Sequence, residues 1–153
     1  MAISASVESL SEQGMVAALQ AHADLTAVIP SGQIRRFQDA DETKTYPVLL
    51  VRCAEVVTPS HNDASAYTAH LEIIAETRKS ADTDGDTANS ALAATRDAIA
   101  TGAAFIANFE SVGGIDVELI RKPASTVTDT RRQDAGRIRR RILLREVVLR
   151  TTG

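Results

Sequence analysis

At 153 residues the chain fits one domain, able to bury about two-thirds of the surface its unfolded form exposes, so no disulfide or metal staple is needed. Apolar residues make up 44% but aromatics only 3%, with no Trp, which calls for a core of Ala, Val, Ile and Leu and argues against a base-stacking surface. The net charge of −3 conceals a split: residues 1–111 carry 7 Lys/Arg against 15 Asp/Glu, and residues 112–153 carry 10 against 5.

The start, MAISASVESLSEQG, has neither a basic beginning nor an apolar block, which predicts no signal peptide, and no apolar run approaches membrane-spanning length. Residues 7–23 read as a helix, with Leu10, Gly14, Ala17, Ala18 and Ala21 recurring at three- and four-residue spacing. Ser6 or Ser9 is its expected cap, the latter with Glu12 as a capping box. ADLTAVIPSGQI is a short apolar segment stopped by Pro30 and Gly32, QIRRF a short strand, and QDADETKTYP a polar loop.

PVLLVRCAEVV, residues 47–57, is nearly continuous in aliphatic residues, as in a strand covered on both faces, with Pro47 fitting only its first position. Cys53 within it reads as a small buried hydrophobe rather than a nucleophile, and a lone cysteine forms no internal disulfide. AYTAHLEIIAE, residues 66–76, alternates: Tyr67, Ala69, Leu71, Ile73 and Ala75 face one way, Thr68, His70, Glu72 and Glu76 the other. A hairpin-type loop, TPSHNDAS, joins the two. A helix follows over residues 86–100, broken or ended by Gly102, and AAFIANFESVGG adds another turn before Gly113 and Gly114 release the chain. GIDVELIRK and RIRRRILLREVVLR are the last strands, joined by the polar PASTVTDTRRQDAG, and residues 123–135 are expected to be ordered by partners rather than in an isolated subunit. The expected architecture is one α+β domain: a mostly antiparallel sheet of about four to five strands with two helices on one face.

Two stretches invite a chemical reading. ADTDGDTAN places Asp82, Asp84 and Asp86 at alternate positions, as in a calcium loop. That loop needs Gly at its sixth position and a bidentate Glu at its twelfth; counted from Asp82, Thr87 and Ala93 stand there, so a metal site is rejected. Acids ahead of a helix face the positive end of its dipole, and Thr83, Asp84 or Asp86 is the expected N-cap. His22, His61 and His70 have no paired spacing, and no nucleophile elbow, phosphate loop or dinucleotide fingerprint occurs. The expectation is therefore of no enzyme, no metal and no cofactor.

The second stretch, TRRQDAGRIRRR, holds Arg131, Arg132, Arg137, Arg139, Arg140 and Arg141. Strand alternation puts Arg137, Arg139 and Arg141 on one face and Arg140 on the face of Ile138, Ile142 and Leu144. Three readings stay open: a solvated polar face, an electrostatic protein interface, or a nucleic-acid patch. An interface fits the charge split, because a heterologous contact brings two different surfaces of like subunits together.

The order of these segments, from MVAALQAHADLTAVIPSGQI through TYPVLLV and AYTAHLEIIAE to GIDVELIRK and GRIRRRILLREVVL, resembles the tail terminator (tail completion) proteins of tailed bacteriophages. The resemblance covers residues 15–150, rests on element order and on soft motifs such as HADLTAVI and YPVLLV, and transfers no individual contact residue. It implies a virion structural protein, assembled in the host cytoplasm, that forms a homohexameric ring at the head-tail junction. Its implied partners are the tail tube protein and the head-tail connector or neck protein, with a sheath as a further candidate. DNA would pass through such a ring without specific binding, and no membrane is involved. Another neck or head-completion protein is the alternative within this class, and a small metal- or ligand-binding α+β domain the alternative outside it.

Overall fold

The computed structural model describes residues 3–40, 45–58, 66–124 and 128–152, with side chains from Val7 onward. Helix α1 spans Ile3–Gln20 and the single turn α2 Ala23–Thr26. Strand β1 is Ile34–Arg36, β2 Val48–Val57 and β3 Ala66–Arg78; helices α3 and α4 are Asp86–Ala100 and Ala103–Glu110; β4 is Ile115–Arg121, β5 Thr130–Arg132 and β6 Ile138–Thr151. The fold is α+β, as expected, with six strands in one sheet ordered β1-β2-β3-β6-β4 and β5 paired to β6. Only β1 and β2 run parallel; the other pairings are antiparallel.

Several boundaries differ from expectation. Helix α1 begins before Ser6 and Ser9, so both lie within it, and Ser9 instead accepts a hydrogen bond from the Gln13 amide at 3.0 Å. Glu12 is no capping-box partner: it is 6% exposed and ties α1 to the sheet. Its Oε1 accepts from Nε and Nη2 of Arg36, at 3.1 and 2.8 Å, and its Oε2 from the Cys53 amide at 2.8 Å. Gly102, at φ 68° and ψ −112°, does break the helix where expected, separating α3 from α4 by a backbone turn that a side chain resists. The polar connection before β6 contains β5, so Thr130–Arg132 is strand rather than loop. The rest of that connection includes residues 125–127, which lie outside the described residues, as do the joining loop over 59–65 and residues 41–44.

The core lies between the sheet and the helices. Leu49, Val51 and Cys53 of β2, Ala69, Leu71, Ile73 and Ala75 of β3, and Leu143, Val147 and Leu149 of β6 meet Met15 and Leu19 of α1, Ala91, Leu92 and Ala98 of α3, and Phe105 and Phe109 of α4. Period-two alternation explains why these strand positions share one face. Among the described residues the opposite face carries no helix; it holds a smaller cluster of Val48, Leu50, Ile74 and Ile142, flanked by charged rows.

Candidate functional site

The aspartate stretch does not converge. Asp82 is buried, whereas Asp84 and Asp86 are exposed. The N-cap of α3 is Gly85, at φ 79°, with no side-chain cap of its own. Asp82 reaches in from three residues upstream: its carboxylate accepts from the amides of Thr87 at 3.0 Å and Ala88 at 3.1 Å, and from the Thr77 hydroxyl at 2.8 Å. The cap is therefore Asp82, not Thr83, Asp84 or Asp86, because the left-handed turn at Gly85 folds the chain back over the helix start. Burial raises the Asp82 carboxyl, but the Thr87 amide, the Thr77 hydroxyl, the Ala88 amide and Arg139 outweigh it and hold the group below the ordinary carboxylate range. Among the described residues no group of three His, Cys, Asp or Glu side chains is gathered as a metal would need. His22 and His70 are set apart, at the start of α2 and on β3, and His61 lies outside the described residues. Cys53 is 5% exposed, and burial pushes its thiol up to about 11.

The six arginines are divided by the strand. Thr77 and Ala75 of β3 register with Arg139 and Arg141 of β6, placing these two on the helix-bearing face. Arg140 registers with Glu76 and Arg131 with Ile142, placing both on the far face. The alternation is as read from sequence, but its polar face is not solvated: Arg141 is 7% exposed and Arg145, further along, 6%. On this face Arg139 donates to the carbonyls of Asp82 at 3.0 Å and Thr83 at 3.1 Å. Arg141 and Arg145 each donate to an aspartate, Asp134 and Asp129 respectively, at 2.7 Å. The Arg140 amide is the main cause that lowers the Asp134 carboxyl to about 2, with Arg141 and Lys79 adding to it against the effect of burial. Asp129 is also lowered: burial opposes ionisation, but Arg145 and Arg96 prevail.

On the far face Glu76 is fully buried and accepts from Nε of Arg140 at 2.7 Å. Glu72, 6% exposed, is held between Arg52 and Arg131. Arg121 donates to Glu146 at 2.9 Å and Arg150 to Glu118 at 2.7 Å. Sequence reading had placed Glu72 and Glu76 on the polar side of a half-buried strand; cross-strand arginines allow their burial instead. The signal lies in register, Glu76 opposite Arg140 of β6 and Glu72 opposite Arg52 of β2 with Arg131 of β5 reaching it, which only the topology reveals.

Four of the six candidate arginines are thus engaged within the fold. Arg132 and Arg137 are exposed, and their side chains make no hydrogen bond or ion pair among the described residues. The far face also carries the three large exposed apolar side chains found among the described residues. Val57, Thr68, Val148 and Leu119 stand in register across β2, β3, β6 and β4, with Val57 47% and Leu119 39% exposed. Phe37 is 38% exposed beneath Arg52, whose guanidinium carbon lies 5.6 Å from the ring centre. Among the described residues no helix is long and apolar enough to cross a membrane. A scan against models of known protein families finds no match, and a search of curated proteins finds none.

Proposed function

We propose that this chain is a virion structural subunit that forms a ring at a phage head-tail junction, caps the tail tube, ends its polymerisation and presents the surface to which the head connector docks. Support comes from the resemblance in element order, together with a sheet that bears its helices on one face. The observation that carries the reading is the far face: Val57 and Leu119 in one cross-sheet row, and Phe37 against Arg52 further along β2, are exposed where no helix of the described residues covers them. Grouped apolar side chains rimmed by charge are the chemistry of a protein contact rather than of a small-molecule pocket. The charged rows beside them supply orientation, since misaligned like charges penalise wrong registers.

Mass photometry and cryo-electron microscopy of the purified chain, alone and with a tail tube, test this. Rings seated at tube ends are the expected result; a strict monomer that does not bind tube ends overturns the reading. Binding to the connector end alone would assign a neighbouring neck or head-completion role. Replacing Leu119 by Asp is expected to weaken ring or tube-end association by at least about tenfold, because a charge would enter a desolvated contact.

A further inference from the structure

We propose that the cavity between α3 and the β5–β6 hairpin binds an oxyanion, a phosphate or carboxylate group, through Arg132, Arg96 and Arg141. The inference is independent of the ring reading. The cavity has a volume of about 350 Å³ and is lined by Asn89, Arg96, Thr130, Arg131, Arg132 and Arg141, with Leu92 as an apolar wall. Three guanidinium-bearing side chains, Arg96, Arg132 and Arg141, therefore line one hollow, Arg131 turning its own guanidinium to Glu72 on the far face, and two neutral side chains, the Asn89 amide and the Thr130 hydroxyl, add further donors.

The neighbouring carboxylates do not neutralise this charge, because each is shared with a cation outside the cavity. Asp129 meets Arg96 at 3.5 Å but also Arg145 at 2.7 Å. Asp134 meets Arg141 at 2.7 Å but also Lys79 at 3.6 Å. Glu72 meets Arg131 but also Arg52. Arg132 meets no carboxylate among the described residues. A second observation is independent of charge counting: Arg141, at the cavity wall, is 93% buried, with Nη1 donating to Asp134 at 2.7 Å and Nε without a hydrogen-bond partner among the described residues. A buried donor left unmade is costly, and a guanidinium edge matches two oxygens of one anion.

The test is isothermal titration of the full chain at low ionic strength with inorganic phosphate and with pyrophosphate. Saturable binding is expected, weakened at least about tenfold in Arg132→Gln and unchanged in Arg137→Gln, which removes an equal charge outside the cavity. Arg132 is exposed, so a matched thermal melt is expected to show the variant folded. Mass photometry then separates the two sources of the anion. If phosphate dissociates assemblies that Arg132→Gln also fails to form, the occupant is a carboxylate of a second copy; if assembly ignores both, the site serves a free ion. Absence of saturable binding overturns the proposal, as does binding that Arg132→Gln and Arg137→Gln weaken equally.

Discussion

Gly14 shows how much a single position can demand without announcing it. It falls on the apolar stripe of α1, where periodicity places it correctly, yet periodicity gives no reason for glycine. The reason is contact with α4: a Cβ there would lie 2.5 Å from two ring carbons of Phe109 and 2.9 Å from its carbonyl oxygen. Phe109 is itself fully buried, so its ring has little room to retreat. Gly14→Ala is expected to destabilise the chain by about 1–3 kcal/mol through overpacking, despite the better helix propensity of Ala. Gly32→Ala, with nothing within 4 Å, serves as the control and is expected to stay within about 0.5 kcal/mol in urea denaturation. Cys53 makes a second residue-scale case. Its thiol, raised to about 11 by burial, with Glu8 and Glu12 adding to the effect and Ser11 opposing it, is expected to resist a thiol reagent at pH 8 until denaturant exposes it. Rapid labelling of the native chain would contradict this.

At the scale of elements, legibility follows from how far each segment's pattern is set locally. Strands β3, β4 and β6 are legible because their alternation runs over 7 to 14 residues, and β2 because its aliphatic run is nearly continuous over 10. Strand β5 was not, because Thr-Arg-Arg has no apolar pattern and is a strand only by pairing with Arg141, Ile142 and Leu143. The start of α3 was placed correctly but its cap was not, since Asp82 acts across the turn at Gly85. Glu12 was misread for a similar reason: a local capping motif fits its spacing, whereas its partners, Arg36 and the Cys53 amide, are 24 and 41 residues away. This contact joins α1 to β1 and β2 through one buried carboxylate. Glu12→Ala is expected to cost about 3–5 kcal/mol, because it strands Arg36 and an enclosed amide. Glu12→Gln keeps an acceptor for the amide and is expected to cost less. A double-mutant cycle with Arg36→Ala measures the coupling, and additivity of the two changes would show that the pair does not act together.

For the whole molecule, the acidic first part and basic last part of the sequence do not become two opposed flanks. Strand β6 inserts between β3 and β4 and carries β5 along its edge, so Arg140 and Arg139 of β6 meet Glu76 and Asp82, Arg131 of β5 meets Glu72, and much of the split cancels inside one chain. Composition shows the imbalance; only the strand order shows where it goes, and the candidate interface contracts to Arg132, Arg137 and the uncovered apolar row. Neutralisation inside the fold carries a pH signature. Asp82, Asp129 and Asp134 all hold their protons less tightly than ordinary carboxyls, so the unfolded chain binds more protons than the folded one as acid is added. Their contribution is present above the unfolded carboxylate pKa of about 3.9 and is lost as pH falls through the lowered folded values, reaching about 2 for Asp134. Urea denaturation is therefore expected to give nearly constant stability from about pH 7 to pH 5 and a marked loss by pH 3. Asp82→Asn is expected to be less stable than the native chain at pH 6, with the gap narrowing at pH 3, where the native carboxylate has lost part of its advantage. Equal stability of the native chain at pH 6 and pH 3 would show that these ion pairs and caps do not hold the fold together.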